Sequence, residues 1–133
     1  MQLGISARNA RLDAIETAVG VTPILKIMTG SAPADCATAS TGTVLVTMTL
    51  PSDWMSAASA GSKAKLGTWQ DTSADATGTA GYFRIFDSAG SVCHIQGTVT
   101  LTGGGGDMTL DNTSIATGQS VTIATFTLTD GNQ

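Results

Sequence analysis

The sequence has little charge, few aromatic side chains and a single histidine. Of its 133 residues, 12% are charged and 5% are aromatic, and ten acidic against six basic residues give a net charge of −4. A nucleic-acid-binding protein follows the phosphate backbone with a basic stripe, and this composition cannot supply one. We therefore expect no nucleic-acid partner.

Long hydrophobic runs are also missing. No apolar stretch approaches the ~20 residues that span a bilayer. Residues 1–19 carry Arg8, Arg11, Asp13 and Glu16, and they lack the continuous apolar segment of a secretory signal. We expect synthesis in the cytoplasm and no membrane partner.

The residue types that perform catalysis or bind metals are sparse. Any histidine-based triad or metal cluster depends on His94, and no Gly-x-Ser-x-Gly elbow is present. A calcium site at Asp107 and Asp111 is an alternative, but the spacing lacks the long loop and closing Glu of a typical calcium-binding loop. Most acidic residues fall in predicted turns, where Asp forms local hydrogen bonds: Asp71, Asp75, Asp87, Asp107, Asp111 and Asp130. We expect no enzyme activity, no cofactor and no metal.

Two cysteines, Cys36 and Cys93, allow a single pairing. Their spacing matches no metal motif, because no second Cys or His pair lies nearby to complete four ligands. Cytoplasmic synthesis favours two reduced thiols, and a disulfide is the alternative.

The one convincing helix is predicted over residues 7–19. Ser6 is suited to the N-cap, and Gly20 stands where a left-handed C-cap is expected. At roughly 13 residues, such a helix is marginal alone and must pack on its own domain or on a neighbour.

We interpret residues 1–22 as a helical arm and residues 23–133 as a β-domain. The apolar stripe of Leu12, Ile15 and Val19, together with Arg8 and Arg11, is the candidate partner-binding surface. The charged positions of this helix are also compatible with an ordinary solvated face.

The abundance of Thr and Gly, 22 and 16 residues, favours β structure after residue 22. A brief helical turn is expected over 52–60, where Trp54 and Met55 would cover one end of the core. Residues 30–42 and 71–81 are predicted loops, and Gly103–Gly106 a hinge or turn tip. The predicted strands are 24–29, 43–50, 65–70, a hairpin of 82–86 with 91–102, 107–110, and 120–129.

Within the last strand, the apolar residues change parity near Ala124 and Thr125, which predicts a bulge or a switch between sheets. Short strands at roughly ten-residue spacing describe a mainly β fold, a β-sandwich or jelly roll preceded by one helix. An open barrel is the second choice. Because the outer faces carry hydroxyls and few lysines, we expect the edges or the helix to be covered by another chain.

Five segments resemble a family of small proteins encoded by tailed bacteriophages and prophages. They are ARNARLDAIE (7–16), LPSDWM (50–55), GYFRI (81–85), CHIQGTV (93–99) and DNTSI (111–115). The resemblance spans nearly the whole chain. A small β-domain with a terminal arm is similar to the cement, or decoration, proteins on the outside of phage heads.

This resemblance implies a non-enzymatic virion protein on the capsid surface. Its expected partners are the major capsid protein and further copies of itself, as a dimer or trimer at a local symmetry axis. Decoration proteins clamp neighbouring subunits of the expanded head, and many weak contacts add up by avidity. A tail or receptor-binding component that contacts the host through 30–42 and 71–81 is the alternative, and an enzyme is the third.

Overall fold

The protein is mainly β with one N-terminal helix, as predicted. Its computed structural model describes residues 1–131, so the last two positions of the predicted β-domain lie outside the described residues. The main sheet curls into a half-barrel, and two short ribbons accompany it. The elements in chain order are α1 (Ile5–Val19), β1 (Ile24–Thr29), β2 (Val44–Thr49), β3 (Ser62–Ala64), β4 (Gln70–Asp71), β5 (Gly78–Phe86), β6 (Cys93–Leu101), β7 (Met108–Leu110), β8 (Ser114–Ile115), β9 (Val121–Thr122) and β10 (Thr127–Thr129).

Helix α1 begins earlier than the predicted residue 7 and ends where predicted. The N-cap is Gly4 and no side chain caps the helix, so the prediction of Ser6 as N-cap is wrong. The reason is that the Arg8 N–H already bonds to the Gly4 carbonyl, which adds residues to the first turn. At the other end, the Gly20 N–H bonds to the Glu16 carbonyl. Gly20 has a positive φ of 87°, but its ψ of −171° lies outside the left-handed helical region, so the helix ends at the predicted residue without the predicted left-handed cap.

The main sheet has the order β2-β1-β5-β6-β7, and β8 pairs with the start of β5. The pairs β1–β2, β1–β5 and β5–β6 are antiparallel, whereas β6–β7 is parallel. The predicted strands 24–29 and 43–50 and the predicted hairpin are confirmed. The loop predicted over 71–81 is shorter than expected, because β5 already begins at Gly78.

One face of the main sheet forms the core. Leu25 pairs with Ile85, and Ile27 pairs with Phe83 and Val46, and all five side chains are buried. Their alternation along the strands places them on the same face.

Aromatic side chains close this core from the ribbon side. The Trp69 and Phe126 rings lie 5.4 Å apart, and Phe83 meets Phe126 edge to face at 5.6 Å. Trp54 and Met55 are buried in the same cluster, as expected. No helical turn forms over 52–60 in the described structure, because Met55 instead bridges to Lys65 in an extended arrangement.

The two ribbons revise one prediction and confirm another. The strand predicted over 65–70 is wrong, since β3 ends at Ala64 and β4 begins at Gln70. The switch predicted near Ala124 is confirmed, because β9 pairs with β4 and β10 pairs with β3. The chain therefore changes partner within a few residues.

The glycine run forms a hydrogen-bonded turn tip. The Gly104 N–H bonds to the Leu101 carbonyl at 2.8 Å, and the Gly106 N–H bonds to Thr100 Oγ1 at 3.0 Å. A Cβ on Gly104 or Gly106 would lie 2.8 Å from Thr100. The connection runs back along the end of β6 as far as Thr98, and the chain then reverses again so that β7 runs parallel to β6.

Candidate interaction surface

The predicted partner-binding residues of α1 mostly contact their own chain. Leu12 and Val19 are buried, and Ile15 packs partly buried against the core. Arg8 donates from Nε to the Asp130 carbonyl at 2.7 Å and from Nη2 to the same oxygen. Arg11 has a side chain that is 62% exposed, with its Nε 3.2 Å from Asp130 Oδ2. The apolar stripe thus faces the β structure, and Arg11 faces solvent.

Lys63 on β3 fixes the helix from the other side. It is buried, and its Nζ lies 2.7 Å from both Asp13 Oδ1 and Glu16 Oε2 of α1. Burial by itself lowers the pKa of Lys63, but hydrogen bonds and charge attraction from the two carboxylates outweigh it, so the pKa rises above its usual value. The hydrogen bond from Lys63, together with the Ala58 N–H, lowers the pKa of Asp13.

Sequence reasoning missed this contact. Asp13 and Glu16 stand three residues apart, a spacing that places both carboxylates on one helix face. Two carboxylates on one helix face indicate that a cationic side chain lies opposite them. The sequence does not show whether that side chain is Lys63 or Lys65.

A groove of about 860 Å³ lies beside this ion cluster, between α1 and the segment 52–57. Val21 and Leu66 line it and are exposed by 64% and 41%. Met55, which also lines the groove, is buried. One wall is held in place by the Trp54 indole, whose Nε1 donates to the Gly20 carbonyl at 3.0 Å. The groove is therefore a formed feature with apolar side chains that no part of residues 1–131 covers.

The groove carries negative charge. Three carboxylates and one ammonium group line it, which gives a net charge of −2 from Asp13, Glu16, Asp53 and Lys63. Asp53 is exposed and makes no hydrogen bond or ion pair with any residue in the described part of the chain. Lys63 is already paired with Asp13 and Glu16. The surface of the groove therefore keeps a net negative charge.

The loop between β1 and β2, residues 30–43, covers the other face of the main sheet. Arg84 of β5 lies beneath this loop, 2% exposed. Its guanidinium uses all five N–H groups, donating to the carbonyls of Asp35 and Thr38, to Ser40 Oγ and twice to Gln96 Oε1. A charge is tolerated in this place because each donor has a partner.

Two further contacts hold the same loop. The Tyr82 hydroxyl donates to the Thr41 carbonyl at 2.6 Å and accepts from the Thr41 N–H at 3.0 Å. Cys36 and Cys93 form a disulfide, so the expectation of two reduced thiols is wrong. The reason is geometric, because the loop crosses the sheet and brings the two Cα atoms to 5.2 Å.

Residues 71–75, from the end of β4 onward, are fixed to the outer edge of β2. Asp71 accepts a hydrogen bond from the Thr47 N–H at 3.2 Å, and Asp75 accepts one from Thr47 Oγ1 at 2.8 Å. The Asp75 N–H also bonds to the Leu45 carbonyl. Aspartates of the same chain thus block this edge of the sheet against further strand pairing.

Asp87 and Asp107, which were considered as catalytic or metal-binding residues, accept local hydrogen bonds instead. The Asp87 carboxylate accepts hydrogen bonds from the N–H groups of Ser91 and Val92, which, with the nearby His94, lower its pKa. Asp107 accepts both the N–H and the hydroxyl of Thr98, each at 2.9 Å. No group of three metal-ligating side chains occurs within residues 1–131.

Comparison with protein-family models, with curated proteins and with solved structures finds no match to this chain. Among the described residues, no helix has the length and apolar character needed to cross a membrane.

Proposed function

We propose that the protein is a non-enzymatic structural component of a phage virion, a decoration or cement protein of the head. It clamps neighbouring subunits of the major capsid protein and stabilises the expanded shell. It is made in the host cytoplasm and acts on the capsid surface. The support is the sequence resemblance together with the way the fold fixes its surface segments.

One observation carries the proposal. Two surface segments are fastened to the sheet, 30–43 by Arg84, Tyr82 and the disulfide, and residues 71–75 by Asp71 and Asp75. A clamp transmits force between subunits, so it benefits from a rigid body in which a load does not first unfold a loop. The alternative is a tail or receptor-binding component that contacts the host surface through the loops 30–42 and 71–81. The fastening gives it less support, because fixed loops adapt less to a partner.

We also propose that the curled sheet and the two ribbons form a sandwich of the jelly-roll type. The supporting feature is the change of partner between β9 and β10, which carries the chain from one ribbon to the other. Such crossings between sheets are typical of sandwich corners. On the shell, we propose a dimer or trimer at a local symmetry axis.

The experiment is reconstitution on heads assembled without this protein. Purified protein is mixed with expanded heads and with unexpanded precursors, and both are sedimented and then heated. We expect binding to expanded heads and a higher temperature of head disruption. Failure of the protein to sediment with either particle, or binding that leaves the disruption temperature unchanged, would contradict the proposal.

A further inference from the structure

The groove between α1 and the segment 52–57 has the properties of a docking site. Its volume of about 860 Å³ accommodates several side chains of a partner. Two of the six large apolar side chains that are exposed among the described residues, Val21 and Leu66, line it. Apolar side chains gathered in one concave surface, unlike scattered ones, indicate a contact surface.

The walls of the groove are fixed before any partner arrives. Asp13 accepts from Lys63 Nζ at 2.7 Å and from the Ala58 N–H at 3.1 Å. The Asn9 side chain accepts from the Gly61 N–H at 2.9 Å, which ties α1 to the turn before β3. A groove that is already ordered loses little conformational entropy on binding.

The charge of the groove selects the chemistry of the occupant. Its net charge is −2, and the Asp53 carboxylate makes no hydrogen bond or ion pair within residues 1–131. An acidic segment placed here would meet this net negative charge and the unpaired carboxylate of Asp53. A cationic side chain near Asp53 and Glu16, with an apolar side chain against Val21, satisfies both features.

We propose that this groove binds a short segment of a partner protein in which Lys or Arg alternates with bulky apolar residues. The helix then contributes to partner binding through its acidic face, with Asp13 and Glu16, and not through the buried stripe of Leu12 and Val19. The chemistry of the segment is inferred from the groove alone. That the segment belongs to a shell subunit rests on the proposed function.

The test uses the full chain and defined peptides. The probe is the acetylated peptide GLKGLKG, titrated into isotopically labelled protein and followed by amide chemical shifts. The comparison peptides are GLEGLEG, which reverses the charge, and GSKGSKG, which removes the apolar side chains. We expect shifts confined to the groove for the first peptide, weaker binding at higher salt, and no saturable shifts for the other two.

Two variants and their matched controls locate the site. We expect Asp53→Asn to weaken binding of GLKGLKG about threefold and Val21→Ser about fivefold. Asp111→Asn and Val92→Ser change an exposed carboxylate and an exposed valine outside the groove, and should leave binding unchanged. Shifts scattered over the surface, or equal effects of groove and control variants, would overturn the inference.

The same variants are sedimented with heads. Groove variants that bind heads as well as the unaltered protein would overturn the inference and leave the proposed function intact. If the unaltered protein binds no heads, the proposed function fails, and the peptide titration decides the inference by itself.

Discussion

At the scale of single residues, the buried guanidinium of Arg84 requires a hydrogen-bond acceptor for each of its five N–H groups. It is a buried cation whose hydrogen-bond acceptors are mainly loop carbonyls and the Gln96 amide. Arg→Met keeps much of the side-chain volume but leaves those acceptors without a donor. We predict that Arg84→Met lowers the free energy of unfolding by about 3 kcal/mol, as measured by urea denaturation.

Arg11 provides the matched control, since its side chain is 62% exposed and makes one surface ion pair. Arg11→Met should cost less than about 1 kcal/mol. Similar losses from the two variants would mean that the loop 30–43 does not depend on the guanidinium of Arg84.

Asp13 gives a pH-dependent contribution to stability. Its pKa in the folded protein is lowered from 3.8 by Lys63 and the Ala58 N–H. A lowered pKa means that the contribution is complete above pH 3.8 and is lost as the pH falls through the folded value. For Lys63 the pKa is raised, so its contribution is complete below pH 10.5 and is lost at higher pH.

We therefore predict that Asp13→Asn lowers stability by a constant amount near neutral pH, and that the difference from the unaltered protein shrinks below pH 3.8. Denaturation curves over an acid series measure it, with Asp111→Asn as the control. A difference that persists unchanged into acid would show that the Asp13 charge is not involved.

At the scale of elements, Gly81 marks a bulge in β5. Met28 pairs with Tyr82 and Thr29 with Ala80, which leaves Gly81 as an extra residue. A Cβ at this position would lie 1.9 Å from the Gly30 carbonyl oxygen. We predict that Gly81→Ala destabilises the protein by about 3 kcal/mol, because backbone atoms must move.

Gly4→Ala is the control for this prediction, since a Cβ there meets no atom within 4 Å. Thermal unfolding of both variants is the measurement. A Gly81→Ala protein as stable as Gly4→Ala would contradict the pairing described for β1 and β5.

The disulfide joins loop 30–43 to the first residue of β6. It joins residues 57 apart in sequence, for which the chain-entropy treatment gives a stabilisation of about 4 kcal/mol. We predict that the double variant Cys36→Ser, Cys93→Ser loses about 2 to 4 kcal/mol but keeps loop 30–43 on the sheet, because Arg84 and Tyr82 still hold it. Hydrogen exchange of the loop amides checks this outcome, and rapid exchange throughout 30–43 would contradict it.

Elements with a strong local signal were predictable. Alternating residues in 43–50 and the hairpin built on 82–86 identify strands because their period is visible without any partner. The end of α1 follows from Gly20. Its start does not, since Ser6 has the chemistry of a cap and is overridden by the backbone hydrogen bond from Arg8 to Gly4. The parallel pairing of β6 and β7 also depends on long-range geometry.

At the scale of the whole molecule, the site was less predictable than the fold. The apolar stripe of α1 has the same pattern whether it faces its own domain or a partner, so the sequence left both open. The structure buries Leu12 and Val19, and the groove beside Asp13 and Glu16 depends on Lys63 and Val21, which are distant in sequence. The disulfide was similarly hidden, because pairing depends on where a loop crosses a sheet.

The proposed role of this protein is that of a fixed structural part shared among shell subunits. The most direct measurement is cryo-electron microscopy of virions with the density assigned to this chain. We predict that this chain occupies the outer surface of the head in a fixed ratio to the major capsid protein. Its absence from the head, or its presence in a few copies at the tail, would mean that the protein is not a structural part of the shell.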